Sequence, residues 1–141
     1  MDKEFVTYEQ ALALIELGFD EKCIGWYPYD AAALSVDGVY IGERRSGSYK
    51  LLTYAPLYQQ AFRWFREKYN IRIGIDYKST EENGYYYTIS WQSLANGENP
   101  PVMVWHHRNS WAGANEPLTT YEEAELACLK KLIEIVKNKD L

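Results

Sequence analysis

The chain is short of the features that usually make a function readable. Of its 141 residues only Cys23 and Cys128 are cysteine. They lie far apart, with no Cys-x-x-Cys pair and no histidine at zinc-finger spacing, which argues against a disulfide framework and a structural zinc site. Both read as reduced, structural thiols. No window approaches the roughly 18 apolar residues of a membrane span. The opening residues also lack the basic-then-apolar order of a secretory signal, so a cytoplasmic protein without a membrane partner is expected. There is no basic run longer than two residues, and 15 Lys and Arg stand against 20 Asp and Glu. Phosphate backbones are bound through clustered Lys and Arg, so nucleic acid is not an expected partner.

Catalytic signatures are missing as well: there is no G-x-S-x-G elbow, Walker loop, G-x-G-x-x-G or H-E-x-x-H. The carboxylate pairs Glu81/Glu82 and Glu122/Glu123 each have a structural reason, the first beside a turn and the second at a helix start. No catalytic residue, cofactor or metal is therefore expected, and a small enzyme without a recognisable motif is kept only as an alternative.

What is present is globular. Hydrophobic residues at 47% and charged residues at 25% place the chain far from disordered composition. The formal net charge of −5 is concentrated towards the N-terminus: residues 1–55 hold 9 acids and 5 bases, residues 56–111 hold 5 and 6. Aromatics reach 16%, with 13 Tyr and 5 Trp, a share that suits half-buried sheet faces and contact surfaces alike.

The expected architecture is one α+β domain over residues 1–141, with three helices on mainly antiparallel sheet. Residues 1–55 supply a helix and short strands; residues 56–141 supply a helix, a three-stranded meander and a helix. Thr7 and Gln10 form a capping box, Ala11, Leu14, Ile15 and Leu17 make an apolar stripe, and Gly18 is a left-handed stop. The pattern then turns extended from Cys23 to Leu52, with Asp37-Gly38 marking a hairpin.

A second helix is predicted from Pro56 to Tyr69, capped by Asn70, with Leu57, Tyr58, Ala61, Phe62, Phe65 and Tyr69 facing the core. Three strands follow, residues 71–77, 85–91 and 102–107, the first two joined by a type I′ turn at Asn83-Gly84. Thr120 and Glu123 start the last helix, whose Leu129, Leu132, Ile133 and Val136 should be buried against the meander. Helix, three strands, helix is also the order of double-stranded-RNA-binding domains. Those place Lys at the start of the last helix to grip phosphates, where this chain has Glu122, Glu123 and Glu125.

The favoured contact surface combines indoles and an arginine at a sheet's end: Trp105, His107, Arg108 and Trp111. Such side chains lose little freedom per unit of contact area, and a loop there is free of core duty. Neighbours on a strand point to opposite faces, so His106 and His107 do not chelate one metal. Alternation likewise separates Tyr86, Thr88 and Ser90 from Tyr85, Tyr87 and Ile89. Tyr86, with Arg72 from the neighbouring strand, is the second candidate contact group, on a face that is either solvated or a contact surface.

The segments APLYQQAFRWFREKY (55–69), YEEAELACLKKLIEIV (121–136) and EFVTYEQA (4–11) resemble a family of small uncharacterised proteins of phages and prophages of Bacteroidota. They are framework helices, so the resemblance implies lineage and brings no functional residue. Small phage proteins outside the virion and replication modules often act by binding, blocking a host enzyme or sequestering a nucleotide signal of host defence. The resemblance thus implies a non-catalytic accessory protein of the host cytoplasm with a counter-defence role. Its expected partner is a host protein or a small nucleotide-like ligand, a homo-oligomer being a further expected association. A structural or assembly component of a phage particle is the other alternative.

Overall fold

The capping box at the start of the chain forms as its spacing predicts. In the computed structural model, which describes residues 2–28, 34–36, 39–41, 51–79, 84–92, 102–106 and 118–138, Thr7 Oγ1 accepts from the Gln10 N–H. Gln10 Oε1 accepts in turn from the Thr7 N–H, both at 3.3 Å. Helix α1 (Tyr8–Glu16) then runs to Gly18, whose φ of 94° only glycine takes up without cost. There the N–H of Phe19 bonds Leu14 O and that of Gly18 bonds Ile15 O, a Schellman closure that satisfies two orphan carbonyls.

By its contacts the chain divides into two compact units, Met1–Ala61 and Phe62–Leu141. The first holds a four-stranded antiparallel sheet of β1 (Gly25–Pro28), β2 (Leu34–Val36), β3 (Val39–Ile41) and β4 (Leu51–Ala55) in the order β3-β2-β1-β4. Val36 pairs with Val39 in an antiparallel ladder, while the expected turn residues Asp37 and Gly38 lie outside the described residues. The β1–β4 register slips between Tyr27 and Pro28, where proline has no N–H to give the ladder. Phe5, Leu34, Val36 and Ala55 make a buried cluster against which Tyr27 and Leu57 pack.

Helix α2 (Tyr58–Tyr69) begins two residues later than expected. Pro56 and Leu57 are used elsewhere: Pro56 O accepts from the Val6 N–H at 3.0 Å, and Leu57 bridges Phe5. The helix crosses from the first unit into the second. Tyr58, Ala61, Phe62 and Phe65 are buried as the stripe predicts, and Trp64 joins them. Trp64, Phe65 and Tyr69 form an aromatic cluster, and the Lys68 ammonium lies 4.6 Å from the Trp64 ring centre. Asn70 ends the helix at φ 54°.

The second unit is built on β5 (Arg72–Lys78), β6 (Gly84–Gln92) and β7 (Val102–His106), an antiparallel sheet with β6 in the middle. The expected Asn83-Gly84 turn is corrected here. Lys78 pairs with Gly84, so Gly84 already belongs to the ladder and residues 79–83 connect the strands. A two-residue turn does not fit that register.

Helix α3 (Tyr121–Lys137) lies on β6 and β5. Its Leu129, Leu132, Ile133 and Val136 are buried, as the sequence predicts. Glu125, which the charge pattern groups with the exposed glutamates of the first turn, is buried instead.

At the α3 N-terminus Thr120 Oγ1 accepts from the Glu123 N–H at 3.1 Å, but the return half of the capping box is displaced by one residue. The Glu123 carboxylate accepts from the Thr119 hydroxyl at 2.7 Å and the Thr119 N–H at 3.0 Å. These bonds, the hydroxyl's foremost, hold the Glu123 carboxyl below its ordinary value of 4.5. A group whose native pKa is lowered stabilises the fold above its unfolded pKa, and the gain fades as pH falls through the native value. Glu123→Gln should therefore melt below the parent at neutral pH, with the gap closing as pH drops from 4.5 downwards. A gap that is the same at every pH would assign the effect to something other than the carboxylate.

Candidate functional site

The meander has two faces, and the register assigns the candidate residues to them. On one face Tyr85, Tyr87, Ile89 and Trp91 turn towards α3: the Tyr85 and Tyr121 rings meet edge-on at 5.9 Å, and Ile89 is fully buried. On the other face Arg72 pairs with Ser90, Gly74 with Thr88 and Asp76 with Tyr86. From β7, the positions of Val104 and His106 join this far face by pairing with Ser90 and Thr88.

Trp105 pairs with Ile89, so its backbone position falls on the α3 side of the sheet, opposite Arg72 and Tyr86. The sheet therefore does not bring Trp105 together with them. His107, Arg108 and Trp111 lie outside the described residues. Tyr86 is only 4% exposed, so its place on the far face is not a solvated one; the Lys78 ammonium stands 5.2 Å from its ring centre. Arg72 is exposed. It sits four positions along the strands from Tyr86's pair, roughly 13 Å at 3.3 Å per residue. The two share a face but not a site.

What does gather around Arg72 is a shallow depression of about 140 Å³ lined by Asn70, Arg72, Ser90, Trp91 and Gln92. The left-handed turn at Asn70 brings the end of α2 round into β5, and the β5–β6 register sets Ser90 beside Arg72. Asn70 and Gln92 were not marked by sequence reasoning. Nothing in the local pattern of an αL cap or a strand end signals a binding residue. The side chains on offer on this face are a guanidinium, two amides and a hydroxyl, which suit a carboxylate or other anionic group. Val104, 47% exposed, adds an apolar position to the same face.

On the α3 side, burial acts on a thiol and a phenol. Burial pushes the Cys128 thiol up from its ordinary value, with Glu125 adding to the effect. Burial likewise raises the Tyr87 hydroxyl, with Cys128 and Glu134 as lesser causes. In the first unit, burial raises Cys23 to about 11 despite an opposing hydrogen bond from Gln60. Among the described residues no group of three or more His, Cys, Asp or Glu is placed to hold a metal, and no helix is long and apolar enough to cross a membrane.

No family model matches the chain, and no curated protein or solved structure matches it either.

Proposed function

We propose that the chain is a non-catalytic binding protein, of the phage accessory kind that the sequence resembles, acting on a protein of the host cytoplasm. The contact surface is the Arg72 end of the meander's far face. The observation that carries this reading is the depression around Arg72, where a cation stands among three neutral hydrogen-bonding side chains. Its size supports a protein target over a sequestered nucleotide-like ligand: about 140 Å³ is well below the roughly 300–1,000 Å³ of pockets that enclose small molecules. One acidic side chain of a partner fits the space, with Val104 meeting an apolar neighbour beside it.

The test is retention of a host protein by the immobilised chain. A stoichiometric partner should be held by the parent and by Glu122→Ala, which alters an exposed residue of α3. It should be lost from Ser90→Tyr, which fills the depression, and from Val104→Glu. A partner retained equally by those two variants would place the contact elsewhere. A nucleotide-like compound released from the purified parent by heat would move the reading to ligand sequestration.

A further inference from the structure

Strand β5 closes one end of the three-stranded sheet: β6 pairs along one side, and among the described residues no strand lies along the other. Such an edge offers backbone N–H and C=O groups at ladder spacing and accepts another strand unless something guards it. The usual guards are proline, a bulge or brevity. β5 has seven residues, no proline, and an unbroken register with β6 from Arg72 to Lys78. Its charges are the remaining guard, and their order selects the partner they admit.

Alternation puts Arg72, Gly74, Asp76 and Lys78 on one face of the strand and Ile73, Ile75 and Tyr77 on the other. When two identical strands pair antiparallel about a two-fold axis, one residue must stand opposite its own copy. Centring on Ile75 sets Arg72 against Lys78, and centring on Asp76 sets two carboxylates face to face. Centring on Ile73 sets Arg72 against Gly74. Centring on Tyr77 matches Asp76 with Lys78 but overlaps only the last residues of the strand. Centring on Gly74 sets Arg72 opposite Asp76 and, by symmetry, Asp76 opposite Arg72, while Ile73 faces Ile75 twice on the other side.

Within their own chain, neither Arg72 nor Asp76 has a salt-bridge partner among the described residues, and both are exposed. Ile73 and Ile75 are half-buried and gain cover from each other's copies. We infer that the β5 edge pairs antiparallel with β5 of a second copy of this chain, in the register centred on Gly74, joining two three-stranded sheets into one of six. The inference concerns the edge of the sheet and stands whether or not the host partner exists; Arg72 borders both surfaces.

The test is charge exchange, read by sedimentation without any partner present. The unaltered chain should dimerise. Arg72→Asp and Asp76→Arg should each weaken the dimer roughly ten-fold or more, because each turns two opposite-charge pairs into like-charge pairs. An equimolar mixture of the two variants should restore it. One variant is then acidic at both positions and the other basic at both, so each cross-strand pair again joins opposite charges. A parent that stays monomeric at millimolar concentration overturns the inference, as does a mixture of folded variants that fails to associate. Should either variant not fold, hydrogen exchange on the parent decides: amides of residues 72–76 must gain protection as concentration rises, and no gain overturns the register.

Discussion

Truncating Leu132 to alanine is expected to cost about 2–5 kcal/mol of stability, the range for removing a fully buried leucine from a packed core. Leu132 is 0% exposed and lies among Cys128, Leu129, Ile133 and Val136 on the face that α3 turns to the meander. Ile89 of β6 is likewise fully buried, so little slack exists to refill the space. Helix and sheet are both regular here, and a helix cannot sink at one residue without shifting its neighbours. At roughly 4 °C per kcal/mol for a chain of this size, the melting temperature should fall by about 8–20 °C. Leu126→Ala is the control: it lies on the same helix but is 36% exposed, and should cost well under half as much. Equal effects at the two positions would mean that α3 does not pack through its Leu132 face.

The α3 packing was legible in sequence because two independent signals agree there. The Thr120 cap fixes where the helix begins, and the 3.6-residue period then fixes which side chains share a face. α1 was legible for the same reason, from Thr7 at one end to Gly18 at the other. Where structure depends on pairing between distant residues, local signals failed. The extended stretch read from the pattern stops at Leu52, yet β4 runs from Leu51 to Ala55 because Trp26 and Tyr27 of β1 stand opposite Tyr54 and Thr53. Asn83-Gly84 is a strong hairpin dipeptide, but the β5–β6 ladder begins at Lys78 and Gly84, and ladder register overrules the turn preference.

The same division applies to the candidate site. Alternation correctly separated Tyr85, Tyr87 and Ile89 from Tyr86, Thr88 and Ser90, since period 2 is a property of one strand alone. It did not say how β7 would align, and that alignment sets Trp105 beside Ile89, away from Arg72. Nor did it say that Tyr86 would be buried on a face otherwise marked by Arg72, Asp76 and Val104. The depression around Arg72 needs a helix end, an αL turn and two strands at once; its lining runs from Asn70 to Gln92, and the pairing that brings Ser90 back beside Arg72 is not a property of either strand alone.

The second large effect is expected at Gly25, whose substitution by alanine should destabilise by about 1–3 kcal/mol or more, as overpacking of a filled core does. Gly25 lies in β1, an inner strand paired with Val36 on one side and Ala55 on the other. A Cβ there would lie 2.6 Å from Phe5 Cε1, 2.7 Å from Phe5 Cδ1 and 2.8 Å from the Ala55 carbonyl oxygen. The Phe5 ring has little room to retreat: it is 4% exposed, and its backbone is tied by the bridge to Leu57. The Ala55 oxygen is backbone and moves only with β4. Glycine is thus the residue that lets the N-terminal segment close over the sheet, a close approach rather than a turn. A double-mutant cycle separates the two obstacles. In a Phe5→Leu background the cost of Gly25→Ala should shrink by about 0.5 kcal/mol or more, since the smaller side chain yields and only the Ala55 carbonyl still obstructs. Strict additivity of the two substitutions would mean that the Phe5 ring does not lie over Gly25.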